Sequence, residues 1–299
     1  MRSLNLLLSI SIILLFSNFN AYSQINLVDA QFFQNRYLSS PAFAGFEVGT
    51  RVNLGYRNQW SMFPGAPVDQ NLTLDHGFGK VGVGLSVISN KAGDLSNTKL
   101  IGTYSYALPI NEEGTKLRVG FNFGFQGTNF NAQNVVGDPN DKNIASLNER
   151  KSIIDGDFGI AFVTNRLTID GTIYNLKSQI VGDGSNLDIG TDFNLYFVGA
   201  AYSIPMQNWT VNTRMAFRKV KNFDNLVDVG AEVRTSGNQL GFTGIYHSNK
   251  SSTFGVSYLH NEKWQVLGMY NTTANPIESY ANGSFEVCLQ INLKNIKEK

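Results

Sequence analysis

The sequence predicts an all-β fold: a transmembrane, antiparallel, up-and-down β-barrel of about 14 strands. Three observations predict it. Segments of about ten residues alternate apolar and polar side chains, turn residues separate those segments, and nothing after residue 23 is apolar for long enough to form a transmembrane helix. The alternation is clearest where Leu117, Val119, Phe121, Phe123 and Phe125 point one way and Arg118, Gly120, Asn122, Gly124 and Gln126 point the other. A strand that alternates strictly over this length has a different solvent on each face. A soluble β-sandwich or propeller also alternates. Strand length, strand number and the pattern of connections favour the membrane barrel.

The expected strands lie near 50–60, 68–77, 80–90, 97–108, 116–127, 155–164, 166–176, 192–204, 208–218, 225–235, 238–248, 251–260, 263–272 and 283–294. Each is close to the roughly nine to eleven residues that a tilted strand needs to cross the apolar layer. Connections after even-numbered strands are tight: 76–79, 109–115, 165, 205–207, 236–237 and 261–262. Those after odd-numbered strands are mostly longer, as at 127–154, 177–191 and 273–282, while 247–251 breaks the trend. Short turns on one side and long loops on the other are the habit of outer-membrane barrels. Both chain ends then fall on the short-turn, periplasmic side. The barrel is expected over 50–294, followed by a short periplasmic tail, 295–299.

The first 23 residues read as a cleaved signal peptide. Arg2 is a short positive start, an apolar run extends from Leu4 to Phe16, and Ala21-Tyr22-Ser23 sets small residues for cleavage before Gln24. Residues 24–49 are not a clear strand. They carry Phe32, Phe33, Tyr37, Phe43 and Phe46, which the periplasm would solvate poorly, so this segment is expected to pack into the periplasmic mouth as a partial plug.

Composition narrows the function classes. Charged residues make up 16% of the chain, below the roughly 25% of soluble domains. The net charge of +1 gives no bulk field for nucleic acid or an acidic substrate. The single cysteine, Cys288, rules out an internal disulfide and a cysteine-rich metal site. His76, His247 and His260 fall in turns or at strand ends with no metal-ligand spacing, and read as exposed turn residues. Gly82-Val83-Gly84 lies inside a strand with no helix after it, so it reads as small lumen-facing residues. Asp155 and Asp157 read as a solvated loop edge. No enzyme motif, cofactor or metal is expected.

The polar face carries both signs of charge. Arg51, Arg57, Arg118, Arg214 and Arg218 share it with Asp170, Asp228, Glu232 and Glu286. A selective diffusion pore would favour one sign in a ring. Mixed signs suggest pairing across strands, and Arg214 and Asp228 are the expected partners in the ninth and tenth strands. Trp60, Tyr104, Tyr106, Trp209, Trp264 and Tyr270 near strand ends fit an aromatic girdle, or ordinary strand propensity.

Two stretches carry a family likeness. Residues 31–45 end in Ser40-Pro41-Ala42-Phe43-Ala44-Gly45, which resembles the Asn-Pro-Ala-Tyr-Ala-Gly signature of the PorP/SprF family of Bacteroidota outer-membrane proteins. Tyr56-Arg57-Asn58-Gln59-Trp60 followed by Phe63-Pro64-Gly65-Ala66-Pro67 resembles that family's Arg-x-Gln-Trp and Gly-Ala-Pro block. Val81-Gly82-Val83-Gly84-Leu85 with Asn90-Lys91-Ala92-Gly93 is a softer match, and Ser40 departs from the usual Asn. The resemblance implies participation in type IX secretion and, in some bacteria, gliding motility. It implies as partners a secreted cargo protein with a C-terminal sorting domain, such as a gliding adhesin, and periplasmic components that contact peptidoglycan.

The residues of these blocks have physical readings. Pro41 and Gly45 would fix a rigid lead into the first strand. Arg57 and Gln59 would face the lumen, Trp60 would sit at the outer interface, and Gly65 and Pro67 would shape the first outer loop. With Arg118, Arg214, Asp228 and Glu232 in the lumen, these are the candidate binding residues. The function expected is a non-enzymatic outer-membrane component of type IX secretion that holds cargo through its lumen and outer loops. The alternative is a porin or small-solute channel.

Overall fold

Fourteen antiparallel strands close into one ring. The structure is a computed structural model and describes residues 31–60, 62, 64–131, 153–181, 194–220, 225–235, 237, 239–272 and 282–293. The expected signal peptide, residues 24–30 and the expected tail lie outside the described residues.

The strands are β1 (Gly49–Gln59), β2 (Val68–Phe78), β3 (Val81–Ala92), β4 (Leu95–Pro109), β5 (Lys116–Phe130), β6 (Ile153–Val163) and β7 (Leu167–Ile173). They continue as β8 (Asn194–Pro205), β9 (Trp209–Val220), β10 (Leu226–Thr235), β11 (Leu240–His247), β12 (Ser252–His260), β13 (Trp264–Asn271) and β14 (Ser284–Leu293). Every strand pairs with its sequence neighbours, and β1 closes on β14 from Thr50 opposite Leu293 to Gln59 opposite Ser284. Closure leaves the sheet without an outer edge strand. The one regular α-helix among the described residues is α1 (Leu176–Val181), after β7. No described helix is long and apolar enough to cross a membrane.

The bounds match the expected segments to within a few residues. The largest departures are β5, which runs on to Phe130, and β7, which stops at Ile173. Tight turns at 79–80, 164–166, 206–208 and 261–263 gather at one end of the barrel. The strand ends joined by the long connections 131–152, 174–193 and 272–283 lie at the other. The β3–β4 connection at this second end is short too, because Gly93 takes the left-handed conformation (φ +58°) that a two-residue hairpin turn asks of its residues.

The wall is inverted relative to a soluble protein. Leu85, Phe121, Phe123, Val198, Met215, Phe242, Phe254 and Val287 stand exposed on the outside. Thr73, Asp75, Ser105, Arg118, Asp170, Arg214, Asp228, Glu232 and Thr253 are buried on the inside. An apolar exterior with a polar interior is stable only when hydrocarbon replaces water outside. Phe123 is 58% exposed in the outer belt. Phe123→Arg is expected to destabilise the folded barrel by about 2–4 kcal/mol, the range for a cation placed near the bilayer midplane. Unfolding by denaturant in lipid vesicles measures it, and Asn122→Arg on the inner face would not follow the same depth rule.

Candidate functional site: the occluded lumen

The lumen is occupied by the chain's own N-terminal segment. Three 3-10 turns, Gln31–Phe33, Arg36–Leu38 and Pro41–Phe43, precede β1. Pro41 pre-sets the last of these, starting it directly after an extended Ser40. A 3-10 turn is tight enough to fold back repeatedly within a narrow bore. Ser39, Ser40, Pro41, Ala42, Phe43 and Ala44 are all fully buried against the wall.

Side chains from many strands hold this plug by its backbone. Arg118 on β5 donates through Nε to the Ala42 carbonyl at 2.7 Å and through an η nitrogen to the Ala44 carbonyl at 2.9 Å. Ser105 on β4 donates to the same Ala44 carbonyl at 2.6 Å. The Gly45 amide donates to Asp75 Oδ2 on β2 at 3.0 Å, in a turn where Gly45 has φ +57°. Asn35 donates to Thr73 on β2 at 2.9 Å, Gln34 to Glu232 on β10 at 3.3 Å, and Gln31 to Glu286 on β14. Tyr37 and Thr103 on β4 share a hydrogen bond of 2.5 Å. Burial pushes the Tyr37 hydroxyl well above the usual phenol range, so it stays protonated. Burial lowers the Arg36 guanidinium, and Asp170 opposes that shift.

The inner wall is cut away where the plug lies. A Cβ on Gly84 would stand 2.5 Å from the Tyr37 hydroxyl, and one on Gly120 would stand 2.5 Å from the Ala42 nitrogen. Gly77, Gly82 and Gly159 meet Gly45, Ala44 and Pro41 in the same way. Gly77, Gly82, Gly84, Gly120 and Gly159 are therefore a moulded seat. Around it, Tyr37, Ala42, Phe43 and Ala44 form a small apolar cluster with Ala161 and Val163.

The candidate residues separate into three groups. Pro41, Gly45 and Arg118 belong to the plug and its seat. Arg57, Gln59, Trp60, Gly65 and Pro67 gather at the long-loop end. There Arg57 is buried opposite Glu286 on β14, and Gln59 donates to Asp69 at 2.7 Å. Trp60 leaves the strand with φ +50°, and its indole nitrogen is enclosed with no hydrogen-bond partner among the described residues. Gly65 accepts from the Gly93 amide at 2.8 Å, so the first loop leans on the β3–β4 turn, and Pro67 accepts from the Gln59 amide at 2.9 Å.

Arg214, Asp228 and Glu232 form the third group, in the wall of β9 and β10. The expected partnership of Arg214 with Asp228 is corrected here. Both face the lumen, but the register sets Gly230 opposite Arg214 and Ala216 opposite Asp228. Asp228 instead takes Arg218 at 2.6 Å and His247 at 2.6 Å, while Arg214 lies 3.6 Å from Asp170. Glu232 pairs with Arg234 at 2.8 Å. His247, expected at an exposed turn, is fully buried and also bonds Thr253 at 2.8 Å. Asp155 and Asp157, expected at a solvated edge, are buried too. They accept the backbone amides of Lys177 at 2.8 Å and Asn175 at 3.0 Å.

Most of these lumenal charges face one another or the plug. Asp228→Asn is expected to cost about 1.5–3 kcal/mol, the range for a hydrogen bond to a charged group, since Arg218 then lacks its counter-charge. Denaturant unfolding of the reconstituted barrel measures it.

Comparison with known proteins agrees with the wall. The toluene transporter TbuX of Ralstonia pickettii has a TM-score of 0.51 at 11% identity, over 92% of this chain and 95% of that one. The toluene transporter TodX of Pseudomonas putida has a TM-score of 0.51 at 8% identity, over 87% of this chain and 93% of that one. The outer membrane protein Omp33 of Acinetobacter baumannii covers 83% of this chain and 99% of its own at 9% identity, with a TM-score of 0.49. At these identities the likeness is one of fold, an outer-membrane β-barrel. No curated relative matches the sequence. The family described as "Type IX secretion system membrane protein PorP/SprF" matches residues 21–291.

Proposed function

Because the chain belongs to the PorP/SprF family of type IX secretion system membrane proteins, we propose that this outer-membrane barrel serves secretion as a non-enzymatic binding component, not as a diffusion channel. The observation that carries this reading is the filled lumen. Thr73, Ser105, His247, Thr253 and Leu267 face inward and are essentially inaccessible, and the plug reaches β1 to β7, β10 and β14.

A barrel occupied in this way works through its ends. In this reading the long-loop end faces outward and receives a secreted cargo protein through its C-terminal sorting domain. Gliding adhesins are one such cargo. The tight-turn end, with both termini, faces the periplasm and meets peptidoglycan-associated components of the secretion system. Outer-membrane lipid surrounds the belt, and nucleic acid has no part. Arg57, Gln59, Gly65 and Pro67 shape the outward end, while Pro41, Gly45 and Arg118 hold the plug.

Deleting the gene tests this. Cargo carrying the sorting domain is expected to disappear from the cell surface, by surface labelling, while outer-membrane integrity is kept. Unchanged display of every such cargo would overturn the reading.

A further inference from the structure

The plug is gripped unevenly along its length. From Arg36 to Gly45 it is held by its backbone: Arg118 and Ser105 reach the carbonyls of Ala42 and Ala44, and Asp75 takes the amide of Gly45. From Gln31 to Gln34 the bonds to the wall run through amide side chains, Gln31 to Glu286 and Gln34 to Glu232 at 3.3 Å. Asn35 joins the two parts. Its backbone (φ −113°, ψ 75°) lies outside the helical region, and its side chain is pinned to Thr73 at 2.9 Å.

The wall is uneven too. β11, β12 and β13 contain no Asp, Glu, Lys or Arg at any position, whereas β2 and β5 set Asp75 and Arg118 against the plug. On this neutral arc Thr243 Oγ1, Ser257 Oγ and Gln265 Nε2 are buried with no hydrogen-bond partner among the described residues. Gln34 Oε1 and Asn35 Oδ1 on the plug are buried unpaired as well. A void of about 10 Å³, room for one water, separates plug from wall at β13 and β14. Gln31, Gln34 and Asn35 line it on one side, Gln265, Leu267 and Cys288 on the other.

These features set the order in which the contacts give way. A buried polar atom without a partner raises the energy of the state that buries it, and water admitted along the neutral arc would relieve that. Parting here strands no carboxylate at Glu232, which keeps Arg234 at 2.8 and 2.9 Å when Gln34 leaves. Parting on the opposite side would take both carbonyls from Arg118 and leave that buried guanidinium with Ser105 alone. Charge-assisted bonds of this kind are the stronger ones.

We propose that the plug is a hinged gate. Gln31 to Gln34 swing about Asn35 away from β11, β12 and β13, while Arg36 to Gly45 stay seated, and the lumen opens along the neutral arc to water and small uncharged polar solutes. The gate is independent of what the ends of the barrel bind, so its failure leaves the secretion role standing.

Thiol labelling of the reconstituted full chain with iodoacetamide, a small uncharged solute, tests this. In a Cys288→Ser background, Ser257→Cys reports the neutral arc and Ser105→Cys the seat. The two serines are matched in type and burial, at 1% and 0% exposed. Rates are normalised to the same chain unfolded in denaturant. Ser257→Cys is expected to react about tenfold faster than Ser105→Cys, as a locally opening region does beside a firmly held one. Ser105→Cys weakens the seat, so it works against that result. Adding Gln34→Ala should speed labelling at position 257 and leave 105 unchanged, and Arg118→Ala should speed 105. Native Cys288, on the void, is read in the unaltered chain and should also outpace Ser105→Cys, which keeps the test decisive if Ser257→Cys does not fold. Equal rates at the two positions, or a Gln34→Ala effect of equal size at both, would mean that the plug moves as one body and would overturn the hinge. No labelling at position 257 or at Cys288 in the folded barrel would overturn the gate itself.

Discussion

A chain lacking residues 24–48 is expected to conduct ions steadily in a planar lipid bilayer, whereas the full chain stays closed. The wall's inner face is mostly polar, with apolar residues such as Leu267 and Met269 within it, so water and ions enter once the segment is gone. In the full chain much of this face is covered by the segment. Asp75 is engaged by the Gly45 amide and by Arg51 at 3.3 Å, and Arg118 by two carbonyls. A lumen of fourteen strands lies between the side-chain-filled small barrels and the aqueous porins. It is too wide for the wall alone to fill. Adding a synthetic peptide of residues 31–48 to the truncated barrel should close it again. A large, steady current from the purified full chain would show that the segment does not seal the lumen, and would favour the channel reading.

Gly120→Leu is expected to unseat the plug without breaking the wall. The new Cβ would lie 2.5 Å from the Ala42 nitrogen, and backbone on both sides leaves little room to give. Overpacking of this kind costs about 1–3 kcal/mol, and more where neither side can shift. The plug can move, whereas Gly120 is fixed in the ladder opposite Ser105 and Gly159. Protease should then cut within residues 31–48, and bilayer current should appear. Gly244→Leu, on the outer face, is the control, since a Cβ there meets nothing within 4 Å. Arg118→Ala should reach the same state more weakly. It strips the Ala42 carbonyl of its arginine, but Ala44 keeps the Ser105 hydroxyl. Equal protection of the plug in Gly120→Leu and Gly244→Leu would refute the moulded seat.

The wall was legible because one physical rule writes it. A strand between lipid and lumen repeats every two residues, and Leu117 to Gln126 or Phe285 to Asn292 state that period plainly. The ends of β5 and β7 were less legible. β7 stops where Tyr174 turns inward to reach Ser39, and that contact spans 135 positions of sequence. The same limit applies to charge partners. Parity correctly placed Arg214 and Asp228 on one face, but register decides which arginine stands beside which aspartate. The register sets Ala216 opposite Asp228, two residues from both Arg214 and Arg218, and Arg218 is the one that bonds it. His247 was misread because it closes a strand next to a short turn, a place that is usually wet, and Asp228 draws it into the wall.

The candidate site was half legible. The aromatics of residues 31–46 signalled a segment that avoids water, and the glycines of β3 and β5 signalled small lumenal residues. Their connection, that the second set is the imprint of the first, needed coordinates. A reader of sequence could seek it as glycines concentrated on the polar face of adjacent strands.

The contact between Gln31 and Glu286 joins positions 255 apart, across the seam where β1 meets β14. That span has a consequence for assembly. The segment that fills the bore is made first, and its last partner is made almost last. A sheet that curls around a guest already tethered to its first strand makes cylinder closure and occupancy one late event. Loop-closure entropy is largest for such distant pairings, and the polar contacts along the bore are available to offset it only when both ends arrive together. A cylinder that closes in this order presents no vacant pore, even as a nascent species.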